Sequence, residues 1–159
     1  MSLTFFLCSR TVIQRFNELI KTGGALKESE VQEVYDQLPP VSPDAMIGKW
    51  KGGSFDTGHP THKQLTNFKW AGKDFRSAND VDPIMGWDEK GGRTWFSDYG
   101  HASLREVKFR GVVSAAMIYD KFPIIDSFRR VSDGVVMGAM DNKDLPDAGT
   151  YYFYLTKFE

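Results

Sequence analysis

The sequence contains a single cysteine, Cys8, among its 159 residues. One thiol cannot form a disulfide within the chain, so we expect a fold without covalent cross-links, which suits a reducing compartment and a cytoplasmic location. Because no base lies near Cys8 in the sequence, we interpret it as a structural thiol rather than a nucleophile.

The chain also lacks an excess of charge of either sign. Its 20 Lys and Arg residues nearly balance its 21 Asp and Glu residues, for a formal net charge of −1. That balance provides no general attraction for nucleic acid or for an anionic membrane. No apolar run reaches the roughly 18 residues that a membrane-spanning helix needs. We therefore expect neither a nucleic-acid partner nor stable membrane insertion.

Recognisable cofactor and nucleophile motifs are missing as well. The sequence has no phosphate-binding loop, dinucleotide fingerprint, nucleophile elbow or kinase signature. His59 and His62 are close together, but no further histidine or cysteine follows at the spacing typical of a metal site. We expect no metal and no cofactor.

Aromatic side chains, in contrast, are abundant, at 14% of the residues. Phe, Tyr and Trp bury large apolar surfaces, and they commonly line pockets for small apolar molecules. This composition suits either a large core or an apolar cavity.

The first third of the chain predicts two helices. Apolar residues recur at helical spacing over about Ser9–Ile20. A second amphipathic stretch begins at Ser29, which can form a capping pair with Gln32, and ends at Pro39-Pro40. We predict that residues 1–46 form a helical segment packed on the rest of the chain, and that the two make a single structural unit.

The remainder predicts strands. From Ile84 onward, short runs rich in Val, Ile, Phe and Tyr alternate with turn signals such as "DEKGG" and "SDG". Together with a strand near residues 47–55 they number about eight. We predict a mostly β (α+β) fold, an antiparallel calycin-like β-barrel or strongly curved sheet over residues 47–159, because closure removes exposed strand edges.

Residues 61–83 show no strong period of either kind. We predict an irregular loop there, with a short helix over about Thr61–Phe68 as its first part. Loops of this length are often functional, and this one is placed to cover a cavity.

The stretch "GKWKG", residues 48–52, puts Trp50 and its flanking glycines on one face of a strand. In one interpretation the indole closes an end of the barrel, with an arginine such as Arg105, Arg129 or Arg130 stacked over it. In the other, the indole contacts a ligand directly.

The stretch "GKWKG" and several blocks of sequence around it resemble the bacterial and fungal family named for its Gly-x-Trp-x-Gly motif. Members of that family continue into a domain of unknown function of the DUF4334 type. The likeness covers most of the chain from Tyr35 onward, through "YDQLPPVSPDAMIGKWKGGSFDTGHP", "WAGKDF", "RGVVSAAMIYDKFPIIDSFRRV", "VMGAMDNK" and "YYFYL". The resemblance implies no particular activity. The Gly-x-Trp pattern is also similar to the first strand of lipocalin-type barrels, which implies an apolar small-molecule ligand.

Two side chains carry the chemistry that a site would need. His59 lies in the turn "TGHP", where an imidazole either acts as an acid, base or donor or simply braces the loop. Asp126 shares a strand face with Ile124 and Phe128, because the three are spaced two residues apart. Its carboxylate should therefore lie among apolar side chains and needs a hydrogen-bond donor. That donor is either a nearby arginine, in a structural pair, or the polar end of a ligand.

Further candidates for ligand binding are Trp50 and Trp70 as aromatic walls, Tyr119 as a hydrogen-bond donor, Arg129 as an anchor for a polar head, and Met140 as an adaptable apolar contact. Tyr119 and Met140 would serve equally well as ordinary core residues.

Three functions are compatible with these features. The first is an intracellular binding protein that holds a small hydrophobic ligand, such as a lipid, fatty acid or aromatic metabolite, inside the barrel. The second is an acid–base enzyme, an isomerase, hydratase or lyase, in which His59 and Asp126 reach one cavity. The third is a protein-interaction module, with a homodimer allowed. The abundance of aromatics and the incomplete catalytic set favour the first.

Overall fold

A computed structural model describes residues 11–159; Cys8 and the start of the first predicted helix lie outside the described residues. The helices are α1 (Val12–Thr22), α2 (Glu28–Gln37), α3 (Pro43–Met46) and α4 (Pro60–Asn67), and a 3-10 turn covers Ser97–Tyr99. The strands are β1 (Gly48–Ser54), β2 (Trp70–Ser77), β3 (Asp80–Trp87), β4 (Arg93–Trp95), β5 (Ala102–Phe109), β6 (Val112–Tyr119), β7 (Ile124–Ser132), β8 (Val135–Asn142) and β9 (Tyr151–Lys157). Among residues 11–159, no helix has both the length and the apolar character that crossing a bilayer requires.

Eight of these strands close into an antiparallel barrel in the order β1-β9-β8-β7-β6-β5-β3-β2, and β2 pairs back with β1. The short β4 pairs antiparallel with the end of β3 and lies outside the closed barrel. The mostly β fold predicted from the sequence is therefore confirmed, and of the two predicted arrangements, a barrel or a strongly curved sheet of about eight strands, the structure has the closed eight-stranded barrel. Closure leaves one continuous interior, in which alternate residues of every strand face each other.

The structure differs from the irregular loop predicted for residues 61–83. The short helix allowed there exists as α4, but β2 and the start of β3 follow it. The alternation of β2 is interrupted because Gly72 has a φ of +114° and the pairing with β3 shifts on either side of it. A Cβ on Gly72 would lie 1.8 Å from the Trp50 carbonyl oxygen, so the close approach of β1 and β2 requires glycine.

Helices α1 and α2 lie against the outer face of the barrel. Their apolar residues form one cluster with outward-facing side chains of β7, β8 and β9: Phe16, Val31, Val34, Tyr35 and Leu38 with Val131, Met137, Ala139 and Tyr152. A capping box forms at Thr11 and Gln14 in α1. The box predicted at Ser29 is absent, because α2 already begins after Lys27 and Ser29 lies within its first turn.

One end of the barrel interior, which we call the filled end, is packed with the protein's own side chains. They include Trp50, Phe75, Leu104, Met117, Phe128, Val136 and Leu155. Helix α3 covers this end, and the Trp50 indole Nε1 donates a hydrogen bond of 2.8 Å to the Met46 carbonyl. Trp50 is only 2% exposed, so its position matches the interpretation in which the indole closes the barrel.

The cation over Trp50 is not one of the arginines predicted from the sequence. Lys157 Nζ lies 5.5 Å from the centre of the Trp50 ring. A Cβ on Gly48 would lie 2.6 Å from Lys157 Cε, so this glycine leaves room for the lysine chain.

Candidate ligand-binding cavity

The other end of the interior, the open end, contains a cavity of about 720 Å³. Its walls are mainly aromatic and aliphatic, from Leu65, Phe68, Trp70, Ile84, Phe96, Tyr99, Tyr119, Phe122, Ile124, Met140, Tyr151 and Phe153. Exposed polar side chains from α4, the 3-10 turn and the β8–β9 loop stand at its rim, among them Lys63, Asp98 and Asp144. Pockets for small molecules typically measure about 300–1,000 Å³, and this cavity falls in that range.

Strand register brings the polar residues of the cavity together. Met117 pairs with Asp126, Asp126 with Met140, and Met140 with Tyr151, which makes one row across β6, β7, β8 and β9. Tyr119 is two residues beyond Met117 on β6, so it is a diagonal neighbour of Asp126 on the same face. The carboxylate therefore lies in the middle of an otherwise apolar wall.

The opposite wall depends on the second glycine of the "GKWKG" stretch. A Cβ on Gly52 would lie 2.6 Å from the Trp70 ring, so the glycine makes room for this indole. Trp70 meets Phe153 edge-on, with 5.8 Å between ring centres, and its Nε1 donates to the Gly72 carbonyl at 3.0 Å. Gly52 thus positions an indole from another strand in the cavity wall.

Asp126 forms a buried ion pair with Lys73. Lys73 Nζ lies 3.2 Å from Asp126 Oδ2 and donates a 2.9 Å hydrogen bond to the Pro83 carbonyl. The two side chains are 3% and 2% exposed. Among the described residues, Asp126 Oδ1 has no hydrogen-bond partner. The cavity wall therefore contains one unsatisfied carboxylate oxygen.

Three aromatic rings surround the lysine ammonium. Lys73 Nζ lies 5.1 Å from the ring centre of Phe153, 5.5 Å from that of Trp70 and 5.7 Å from that of Tyr119. These ring faces and the Pro83 carbonyl stabilise a cation, and the cation in turn stabilises the carboxylate beside it.

Burial acts against both charges of this pair. It lowers the pKa of Lys73 and raises the pKa of Asp126, and in each case the charge of the partner opposes the shift. Burial, followed by the charge of Asp126, also raises the pKa of the Tyr119 hydroxyl well above its ordinary value. A desolvated ion pair is a weak contributor to stability, so its presence in the wall requires another explanation.

A chain of hydrogen bonds leads from the cavity wall towards the surface. The Tyr151 hydroxyl lies 2.5 Å from Ser54 Oγ, which lies 2.7 Å from His62 Nδ1. His62 Nε2 is 3.8 Å from Asp56 Oδ2, too far for a hydrogen bond. The group therefore lacks the closely held acid of a Ser–His–Asp triad, and we interpret it as a brace for Tyr151.

Of the seven residues that the sequence proposed for ligand binding, Trp70, Tyr119, Asp126 and Met140 line the cavity, whereas Trp50, His59 and Arg129 do not. His59 caps α4: its Nδ1 accepts a 3.1 Å hydrogen bond from the Thr61 amide. Its ring lies 5.5 Å from that of Tyr151, behind the wall, and burial lowers its pKa. The structure therefore does not bring His59 and Asp126 to one cavity.

Arg129 lies on the outer face of β7, beneath α2. It donates to the Leu38 carbonyl at 3.0 Å, and its guanidinium stacks 4.7 Å from the centre of the Tyr35 ring. A cation bonded to carbonyls at the end of a helix stabilises that end. The partner of Asp126 is thus Lys73 rather than an arginine.

Lys73 is not among the residues predicted for the site, because residues 61–83 are predicted to form a loop whereas Lys73 lies in β2. In a strand, Lys73 shares a face with Phe75, which is buried in the interior. That spacing was the available signal. Tyr151 and Phe153 were missed for a different reason: the run "YYFYL" does not indicate which of its aromatics face inward.

Among residues 11–159, no group of three or more His, Cys, Asp and Glu side chains is arranged to hold a metal ion. The buried polar groups among the residues that line the cavity are the Lys73 ammonium, the Asp126 carboxylate and the hydroxyls of Tyr119 and Tyr151.

Comparisons with known proteins cover both halves of this site. A family model described as "GXWXG protein" matches residues 33–91, and one described as "Domain of unknown function (DUF4334)" matches residues 100–157. The chain is 44% identical to a solved structure described as "Crystal structure of protein from Thermomonospora curvata", over 93% of this chain and 99% of that one, with a TM-score of 0.86. A search of curated proteins gave no match. Lys73 lies in the first matched segment and Asp126 in the second.

Proposed function

The chain belongs to the family described by the GXWXG and DUF4334 models, and from the interior of its barrel we propose that it binds a small hydrophobic molecule in the open end. The observation that carries the proposal is the aromatic-walled cavity of about 720 Å³ with the Lys73–Asp126 pair in its wall. Apolar walls supply affinity, and a few fixed polar groups supply orientation.

Packing supports this function over a purely structural role. Protein interiors are normally close-packed, and the filled end of this barrel is. An open volume and a desolvated ion pair both cost stability, and a ligand that binds only the folded state compensates for such a cost. The cavity therefore suits an occupant that is not part of the chain.

The alternative of an acid–base enzyme requires His59 and Asp126 at the same cavity, and only Asp126 lines it. We therefore do not propose a reaction based on that pair. The protein-interaction module, the homodimer and the cytoplasmic location stay predictions.

The proposal can be tested with N-phenyl-1-naphthylamine, a neutral dye whose fluorescence increases in apolar surroundings. We expect saturable binding to the protein. The Met140→Trp variant places an indole in the cavity and should bind the dye at least about tenfold more weakly, because overpacking removes the volume that the dye occupies. Val113→Trp is the matched control, since Val113 is 52% exposed and outside the cavity.

Native mass spectrometry of freshly purified protein provides an independent measurement, with an apolar small molecule expected to accompany the chain. The proposal is wrong if the dye does not bind the wild-type protein, or if a folded Met140→Trp variant binds it as tightly as Val113→Trp does.

A further inference from the structure

We propose, on the basis of the ligand-binding function above, that the open end selects apolar molecules carrying a hydroxyl group, an alcohol or a phenol, whose proton is donated to Asp126. This preference for a hydroxyl group follows from the hydrogen bonds and the charge pairing that the protein's own residues already provide in the cavity.

One oxygen of the Asp126 carboxylate lacks a hydrogen-bond partner. Asp126 Oδ2 is paired with Lys73, whereas Oδ1 has no partner among residues 11–159, although Asp126 is only 1% exposed. A buried acceptor without a donor is costly, and a charged one more so. Asp126 lines the cavity but Oδ1 is buried, so a turn of the carboxylate towards the cavity lets a ligand supply the missing donor.

Charge also limits the class of ligand. Lys73 and Asp126 already form a neutral pair, so a ligand carboxylate would add an uncompensated negative charge beside Asp126 and has no proton to donate to Oδ1. A ligand ammonium would add a positive charge beside Lys73. A hydroxyl supplies the donor and adds no charge.

The Lys73 ammonium already has partners within the protein. An ammonium has three donors. Those of Lys73 serve the Pro83 carbonyl and Asp126 Oδ2, and three aromatic rings surround the rest of its head. The protein has therefore already provided for the cation, which makes Lys73 a poor anchor for a fatty acid and a good one for the Asp126 carboxylate.

The Tyr119 hydroxyl is a second polar group in the cavity wall. The Tyr119 hydroxyl has no hydrogen bond to another described residue, whereas that of Tyr151 is engaged with Ser54. Tyr119 is the diagonal neighbour of Asp126 in the cavity wall. A ligand oxygen between them accepts from Tyr119 while its own proton goes to Asp126, so the two residues recognise both functions of a hydroxyl group.

The test is displacement of N-phenyl-1-naphthylamine from the wild-type protein at neutral pH by three molecules of matched chain: 1-decanol, decyl methyl ether and decanoate. We expect decanol to displace the dye at a concentration about tenfold or more below that needed for the ether, since one hydrogen bond to a charged group separates them. Decanoate should be weaker than decanol as well. This comparison uses one folded protein and depends on no variant.

Two variants separate the roles of the polar groups. Tyr119→Phe should weaken decanol and the ether by similar factors, about two- to tenfold, because both offer an oxygen that accepts from Tyr119. The Lys73→Met/Asp126→Leu double variant removes the acceptor and both charges, and there decanol and the ether should bind within about threefold of each other.

The outcomes are distinct. If the ether or decanoate displaces the dye from the wild-type protein as readily as decanol, the hydroxyl preference is wrong while ligand binding stands. If decanol keeps its advantage in the double variant, the preference does not come from Asp126 and the inference fails. If neither the dye nor any of the three molecules binds, the proposed function falls and this inference falls with it.

Discussion

The two ends of the barrel are built from the same strands, yet their interiors differ. At the filled end, Trp50, Phe75, Phe128 and their neighbours pack against each other, and the edge-to-face contact between Phe75 and Phe128 has 5.9 Å between ring centres. At the open end, aromatic side chains of similar size stand around about 720 Å³ of space and a buried ion pair. The supply of large side chains therefore does not explain why one end is hollow.

The difference lies in how each end uses its glycines and charges. Gly138 accommodates the Phe153 ring, which a Cβ would approach to 2.3 Å, and Gly52 accommodates Trp70. Both rings are drawn against the wall instead of filling the centre. Departures from an apolar, close-packed interior are expected where a protein functions rather than where it is stabilised. The filled end has the close packing that stabilises a fold, and the open end is the candidate site.

Removal of one tryptophan from each end should produce the largest difference between the two ends. Trp50→Ala should lower the free energy of unfolding by about 3–5 kcal/mol, because it leaves a cavity in a packed core and loses the bond to the Met46 carbonyl. Trp70→Ala should cost about half as much or less, since its indole already borders open volume. Urea denaturation measures both.

Dye binding should show the opposite ranking for these two variants. Trp70→Ala should change the affinity for N-phenyl-1-naphthylamine, and Trp50→Ala should leave it nearly unchanged in the folded protein. Equal losses of stability, or a dye affinity that responds only to Trp50, would remove the distinction between the ends.

The second prediction concerns the ion pair. Lys73→Met leaves the Asp126 carboxylate buried without a cation and should cost on the order of 3 kcal/mol at neutral pH. The Lys73→Met/Asp126→Leu double variant should recover most of that loss. Recovery in urea denaturation would show that the ion pair is not required for stability, and a double variant less stable than the single one would contradict this.

The stability of the Lys73→Met single variant should also depend on pH. Burial raises the pKa of Asp126 above its ordinary value of 3.8, and removal of Lys73 takes away the charge that opposes this shift. Between pH 3.8 and this raised pKa, Asp126 is protonated in the folded state and ionised in the unfolded state. The free energy of unfolding of Lys73→Met should therefore fall as pH rises from 3.8 to the pKa of the folded state. Urea denaturation at a series of pH values checks the sign.

The smallest expected effect comes from His59, behind the wall of the open end. Burial lowers its pKa from the ordinary value of 6.5, so below pH 6.5 the unfolded chain binds a proton that the folded chain does not. Stability should therefore fall as pH decreases from 6.5 towards the pKa of the folded state. His59→Asn keeps an acceptor for the Thr61 amide and should lose this dependence, a change of less than about 1 kcal/mol. A slope that persists in the variant would assign it to other groups.

Several features of the site were accessible from local pattern. The spacing of Ile124, Asp126 and Phe128 predicted a carboxylate on the interior face of a strand, and the structure has all three buried there. Arg129 follows the same alternation onto the opposite face and holds the end of α2, so the ligand anchor predicted from its residue type is not formed. Period-2 patterning is reliable in such a strand because one slip would expose every apolar side chain.

Other features depended on contacts between distant segments. The bulge at Gly72 hid β2, and with it Lys73, because the conformation of that glycine is set by the approach of Trp50 on β1. The bulge interrupts the alternation of β2, so that only the short spacing of Lys73 and Phe75 beyond it indicates a strand in the sequence. The partner of Asp126 thus lies on a strand that the pattern did not predict.

Local apolar spacing predicts helices α1, α2 and α4, the barrel strands other than β2, and the inward direction of Asp126, because each is a property of one short segment. The contact of Lys73 with Asp126, the location of Trp50 and Trp70 at different ends, and the position of His59 outside the cavity appear only in the tertiary structure. Those outcomes depend on which strands become neighbours when the barrel closes, and that pairing is fixed by long-range packing that no local periodicity records.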